Sequence, residues 1–193
     1  MTFPIEYSSL STHALLELVC QKHSFPHSTS ITFLKRGFND TYLIQNGKDK
    51  YILRVYKHNW RSLESIESEL KFLTHLKEGG ISVSFPIPDN QKQFIQSIEA
   101  PEGIRYAVLF SYAEGEQVRK LSTEQAELLG IQTGKIHLLS ENKNFGTPAH
   151  NYDIDHQFEK TLGTLKPILV DYPNEYNYLV QLKGYFTELL TDI

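Results

Sequence analysis

RGFNDTYLIQNGKDKYILRVYK, residues 36–57, holds two apolar runs around an NGKD turn, with Gly37, Asn39 and Asp40 ahead of the first run and Arg54 inside the second. TYLIQ (41–45) and KYILRVYK (50–57) are rich in Tyr, Ile, Leu and Val and bounded by Gly, Asn and Asp, so both read as strands. Side chains alternate along a strand, which groups Ile52, Arg54 and Tyr56 on one face and Leu53 and Val55 on the other. A charge set between apolar neighbours needs a partner or an exit to water. Ahead of the first strand, Gly37 permits a positive φ or a close approach of backbone to an anion. Asn39, Asp40 and Thr41 can bond their own backbone and leave N–H groups facing a negative group. The same residues also suit a plain tight turn that satisfies only local groups, and Arg54 also suits a snorkelling surface position.

Working outward, SITFL (30–34) is a third strand, and three strands joined by short turns imply an antiparallel meander. Before it, SSLSTHALLELVCQKH (8–23) reads as a lead-in helix capped by Ser11 or Thr12, with Leu15, Leu16, Leu18 and Val19 as its apolar positions. Residues 62–78 are helical by the spacing of Leu63, Ile66, Leu70, Leu73 and Leu76, and Gly79-Gly80 end the helix. Glu69 flanks that inward stripe, while Glu64 and Glu67 point further out. KQFIQSIEA and IRYAVLFSYA are two more strands joined by a PEG turn at 101–103. From Ser122 the pattern stays helical, interrupted near 141–152 and at DYPNE (171–175). The expected fold class is α+β: a five-stranded antiparallel sheet over residues 30–112, one helix (62–78) packed across it, then helices.

Composition narrows the function classes. The chain has 193 residues, 40% hydrophobic and 22% charged, enough to bury a substantial core. Its 19 Lys plus Arg against 23 Asp plus Glu give a net charge of -4, with no basic run of the kind nucleic acid requires. Cys20 is the only cysteine, and no apolar run is long enough to span a membrane. The start MTFPIEYSSL lacks the pattern of a secretory signal, so a cytoplasmic location is expected and the NDT sequon at Asn39 is read as unmodified. The expected partners therefore exclude nucleic acid and membrane.

This plan and its motifs resemble the small N-terminal lobe of a protein-kinase-like fold, and more narrowly the aminoglycoside phosphotransferase, choline kinase and type II homoserine kinase superfamily. The resemblance runs from about residue 28 to 140 and implies an ATP-binding lobe over residues 1–113, then a hinge exit and an incomplete helical lobe over 114–193. RGFNDTYLI matches the loop that folds over the ATP phosphates, which implies phosphate-site roles for Gly37, Asn39, Asp40 and Thr41. LRVYK matches the strand whose cation holds the α and β phosphates, making that cation Arg54 rather than the Lys of protein kinases, paired with Glu69 of ESELKFLTHL. VLFSYAEGE (108–116) resembles the hinge behind the adenine. There Phe110 is implied to back the pocket, the Ser111 carbonyl and Ala113 amide to meet the adenine edge, and Ile52 to contact its face. LLGIQTGKIHLLS (128–140) resembles the family helix with Gly130 and, seven residues later, His137, read as a packing or capping residue.

Other motifs are weaker. Asp153, Asp155 and His156 in NYDIDHQF read as helix-start capping rather than a metal cluster. GKIH falls short of a Walker A loop in spacing, and neither H-E-x-x-H nor G-x-S-x-G occurs. The resemblance implies an H-G-D catalytic loop and a magnesium-binding Asp, and neither motif is in this sequence. The last residues run into an amphipathic pattern, Leu179, Leu182, Phe186, Leu189 and Ile193, so the expectation is a fragment whose catalytic loop lies beyond Ile193. No catalytic residue and no metal ligand is assigned. The expected function is the ATP-binding portion of a small-molecule kinase that phosphorylates a hydroxyl-bearing acceptor, with Mg held elsewhere in the longer protein and no transfer by this chain alone. The alternative is a complete non-catalytic nucleotide-sensing or protein-interaction module on the same scaffold.

Overall fold

A computed structural model describes residues 9–116, 118–146 and 154–191, with side chains described for these except 154–157, 190 and 191. The chain divides into two compact units, Met1–Thr147 and Pro148–Ile193. In the first, helix α1 (Thr12–His23) precedes strands β1 (Ser30–Arg36), β2 (Asn39–Asn46) and β3 (Asp49–Tyr56). Helix α2 (Leu63–Glu78), strands β4 (Ile95–Ala100) and β5 (Gly103–Ser111) and helix α3 (Thr123–Ser140) follow. The second unit holds α4 (Ile154–Leu165) and α5 (Pro173–Thr191).

All five strands lie in one antiparallel sheet in the order β1-β2-β3-β5-β4, as the meander and the PEG turn imply. Alternation divides its core into two layers. Tyr42, Ile44, Leu53, Val55, Ala107 and Leu109 pack on one face with Leu15 and Val19 of α1. Tyr56, Val108 and Phe110 pack on the other with Ile66 and Leu70 of α2. Each buried Leu, Ile or Phe contributes about 1.5–3 kcal/mol of transfer free energy, so both layers are substantial. The sequence expectation of one packed helix is thus extended: α1 covers the second face, because a five-stranded sheet with apolar residues on both sides cannot leave one side wet.

Local signals set the helix ends. The Ser62 hydroxyl accepts from the Ser65 amide at 3.2 Å to cap α2, and Gly80, at φ +78, terminates it. α1 is capped by Ser11, whose hydroxyl accepts from the Ala14 amide. Ser122 and Gln125 form a reciprocal capping box at the start of α3. The end of α3 is tied to α2 by a His75 ring nitrogen at 2.8 Å from the Leu139 carbonyl. Pro173, Asn174 and Glu175 belong to the first turn of α5 rather than to a loop, since proline's fixed φ suits the first helical position. In the second unit Phe158 of α4 meets Phe186 of α5, with ring centroids 6.0 Å apart. Among the described residues no helix is long and apolar enough to cross a membrane.

Candidate functional site

The strand register arranges the α2-facing side of the sheet in rows. Leu43, Ile52 and Phe110 stand directly opposite one another on β2, β3 and β5 and form an apolar row. Two residues further along, about 6.6 Å, Thr41, Arg54 and Val108 form the next row. Asn39 stands opposite Tyr56 in the one after.

Arg54 is held from both sides. Its Nη1 donates to Glu69 Oε1 of α2 at 2.6 Å, and its guanidinium lies 4.6 Å from the Phe110 ring centroid. The other Glu69 oxygen accepts from the Tyr56 hydroxyl at 3.2 Å and from Arg61 Nη1. Arg61 is fixed in turn by donating from Nε to Ser65 Oγ at 3.0 Å and from Nη2 to the Ser65 carbonyl at 2.7 Å. Two guanidinium charges against one carboxylate leave a net positive charge. The Arg54 side chain is 31% exposed and that of Arg61 12%, so the surplus is most accessible at Arg54. Burial works to lower the Arg54 pKa, but the neighbouring Tyr56 and Glu69 outweigh it and the net direction is upward. Burial, reinforced by the charge of Glu69, pushes the Tyr56 hydroxyl up to about 12. Sequence reading missed Arg61, although Arg61, Ser65 and Glu69 recur every fourth residue, the spacing of one helix face.

The turn ahead of β2 departs from its sequence reading. Only Gly37 and Phe38 separate β1 from β2, so Asn39, Asp40 and Thr41 belong to the ladder rather than to a loop. Gly37 is outside the positive-φ region, and a Cβ there would meet only the Asn39 carbonyl, at 3.9 Å. Of its two possible uses, open approach from solvent is the one the geometry leaves. Asp40 is buried on the α1 side, where Arg105 Nη2 donates to its Oδ2 at 2.9 Å and Arg36 Nε lies 3.6 Å from its Oδ1. Its carboxylate therefore faces away from Arg54 and braces the turn from behind. Asn39 Oδ1 is buried without a hydrogen-bond partner among the described residues. Phe38 stacks on Trp60, with centroids 4.7 Å apart and planes 3° apart, which ties the turn to the loop before α2.

At the far end of β5 the Ser111 amide donates to the Phe85 carbonyl, and Ser111 Oγ accepts from the Phe85 amide at 3.0 Å. The Ser111 carbonyl accepts from the Ser84 hydroxyl at 2.5 Å and keeps a second lone pair. Ala113 is exposed just past the strand. The structure thus brings Thr41, Ile52, Arg54, Glu69 and Phe110 to one face and puts Ser111 at the end of β5 and Ala113 just past it. His137 is exposed in the last turn of α3, placed for the helix dipole rather than for packing. Asp153 and the side chains of Asp155 and His156 lie outside the described residues. Among the described residues no group of three or more His, Cys, Asp or Glu could hold a metal ion.

Residues 30–175 match the APH family, described as a phosphotransferase enzyme family. Over 99% of its length the chain is 32% identical to an uncharacterized protein of Synechocystis sp., of which it covers 53%. It is 26% identical to an amicoumacin kinase of Bacillus subtilis over 62% of this chain and 36% of that protein. The solved amicoumacin kinase hAmiN, in complex with AMP-PNP, Ca2+ and Ami, superposes with a TM-score of 0.72 at 21% identity, covering 95% of this chain and 55% of that one. The chain spans about half the length of the Synechocystis relative and of the solved kinase. The sheet, its two helices and this match over most of the sequence have one reading: the chain belongs to the APH phosphotransferase enzyme family.

Proposed function

We propose that this chain is the ATP-binding portion of a small-molecule kinase that transfers the γ-phosphate of ATP to a hydroxyl acceptor. The observation that carries the reading is the pair of rows on the α2-facing side, one apolar and one centred on a cation with surplus charge. A nucleotide has the same polarity over the same span. In this reading Ile52 and Phe110 form the base-facing wall, and the free lone pair of Ser111 and the amide of Ala113 meet the adenine edge. Arg54 takes phosphate, steadied by Glu69, and Thr41 and Asn39 offer polar groups beside it. Gly37 leaves room for phosphate at the turn, and Asp40 acts from behind through Arg105. The lobe boundary falls between residues 113 and 114, where β5 has ended and the hinge exits. ATP, when bound, supplies the transferable phosphoryl group. Among the described residues no group of three or more His, Cys, Asp or Glu could hold magnesium, and none is assigned to it. AMP-PNP bound to hAmiN, which shares the fold, supports the nucleotide assignment.

Trp60, the only tryptophan, stacks on the turn and serves as an intrinsic reporter. Titration with ATP should change its fluorescence saturably, and Arg54→Ala should weaken binding at least about tenfold, the scale of one charge-assisted hydrogen bond. Equal binding by the variant would defeat the assignment of Arg54.

A further inference from the structure

We propose that Lys35 is a second phosphate-binding cation of this site, placed there by a β-bulge; the inference rests on the nucleotide reading above. Phe33 pairs with Tyr42, yet the next pair is Lys35 with Thr41, so Leu34 is an extra residue in β1. In a regular ladder Leu34 would oppose Thr41 and Lys35 would oppose Asp40, on the α1 side. The bulge advances the register by one residue, and a one-residue shift moves a side chain to the other face. Arg36 verifies the new parity: it pairs with Asp40, its Nε lies 3.6 Å from the buried Asp40 carboxylate, and its guanidinium sits 5.8 Å from the Phe33 ring centroid. All three belong to the α1 side. Lys35, between Arg36 and the bulge, is therefore on the α2-facing side, in one row with Thr41 and Arg54.

That row runs Lys35, Thr41, Arg54, with Lys35 and Arg54 separated by two strand spacings, about 9.6 Å between backbones. Both side chains are long enough to converge on one group above Thr41. Lys35 is exposed, and no described residue forms an ion pair with it. Lys35, without an ion pair among the described residues, and Arg54, which carries the surplus charge of the Arg54/Arg61/Glu69 cluster, stand in one row with no carboxylate between them, and an oxyanion chain is the ligand that satisfies both. Arg54 is next to the apolar row that would take the base, so it meets the nearer phosphates. Lys35 lies outward at the β1 end and meets the farther ones.

The test compares ATP and AMP binding, read by Trp60 fluorescence and by calorimetry, for the chain, for Lys35→Ala, for Lys35→Arg and for Lys48→Ala. Lys48 is exposed in the turn between β2 and β3, at the opposite end of those strands, and its loss changes net charge equally. The expected result is ATP binding weakened about tenfold by Lys35→Ala, AMP binding unchanged, near-normal binding by Lys35→Arg and no effect of Lys48→Ala. If the unaltered chain binds ATP but Lys35→Ala binds it as well, or loses ATP and AMP equally, the role of Lys35 is overturned while the nucleotide site stands. If the unaltered chain binds neither nucleotide, the nucleotide reading and this inference fall together.

Discussion

Glu69 serves two arginines, and the division of labour between them rests on exposure: Arg61 is the more buried and is locked to Ser65, leaving Arg54 as the cation a ligand can reach. Arg54→Lys keeps the charge but loses the planar fork that can hold Glu69 and a phosphate together, so it should weaken ATP binding less than Arg54→Ala yet measurably. Tyr56 makes a prediction in pH. Burial beside Glu69 pushes its folded pKa up to about 12, above the ordinary tyrosine value of about 10, so the neutral hydroxyl is favoured in the native state. That stabilisation is complete below pH 10 and is lost as pH rises towards 12, because the unfolded chain releases its proton first. In urea denaturation the advantage of the native protein over Tyr56→Phe should therefore shrink across this range. A pH-independent difference would contradict the burial of the hydroxyl beside Glu69. Strand alternation made it legible that Arg54 needs a partner, and the family resemblance pointed to Glu69, which lies 2.6 Å from it. The burial of Asp40 was not, since its partner Arg105 is 65 residues away and no local pattern links them.

Elements decide which side of the sheet is available. α1 fills one face with Leu15 and Val19, and α2 borders the other, where the cation row remains accessible. Leu15→Ala should cost about 2–5 kcal/mol in chemical denaturation, the range for truncating a buried leucine, although Leu15 is far from Arg54 in sequence and on the opposite face. Arg105→Ala would leave Asp40 charged and buried, at a cost of about 3–5 kcal/mol. The strands, α2 and its glycine stop were readable from periodicity and capping residues. The packing of α1 was underestimated because its leucines mark an apolar face without saying what lies beneath it. The bulge at Leu34 was invisible for a related reason: one extra residue changes pairing between strands and leaves the composition of the run untouched.

At the scale of the molecule, the chain belongs to the APH phosphotransferase enzyme family, and the nucleotide-binding face is the proposal built on that membership and on the geometry of the sheet. Phosphoryl transfer depends on positioned base and metal groups, and the H-G-D sequence does not occur in these 193 residues. Incubation with γ-labelled ATP and a panel of small-molecule alcohols should give no transfer above background, while ATP at about 100 times its dissociation constant should add about 2.7 kcal/mol of stability, visible as a higher melting temperature. Transfer above background would require a catalytic carboxylate within the chain. The central claim is that ATP lies across the α2-facing side of the sheet, and methyl NMR of the isotope-labelled chain tests it most directly. Strand alternation predicts that ATP shifts the methyl resonances of Leu43 and Ile52 and leaves those of Ile44, Leu53 and Val55, on the α1 side, in place. Shifts confined to Ile44, Leu53 and Val55, or none on either face at saturating ATP, would contradict it.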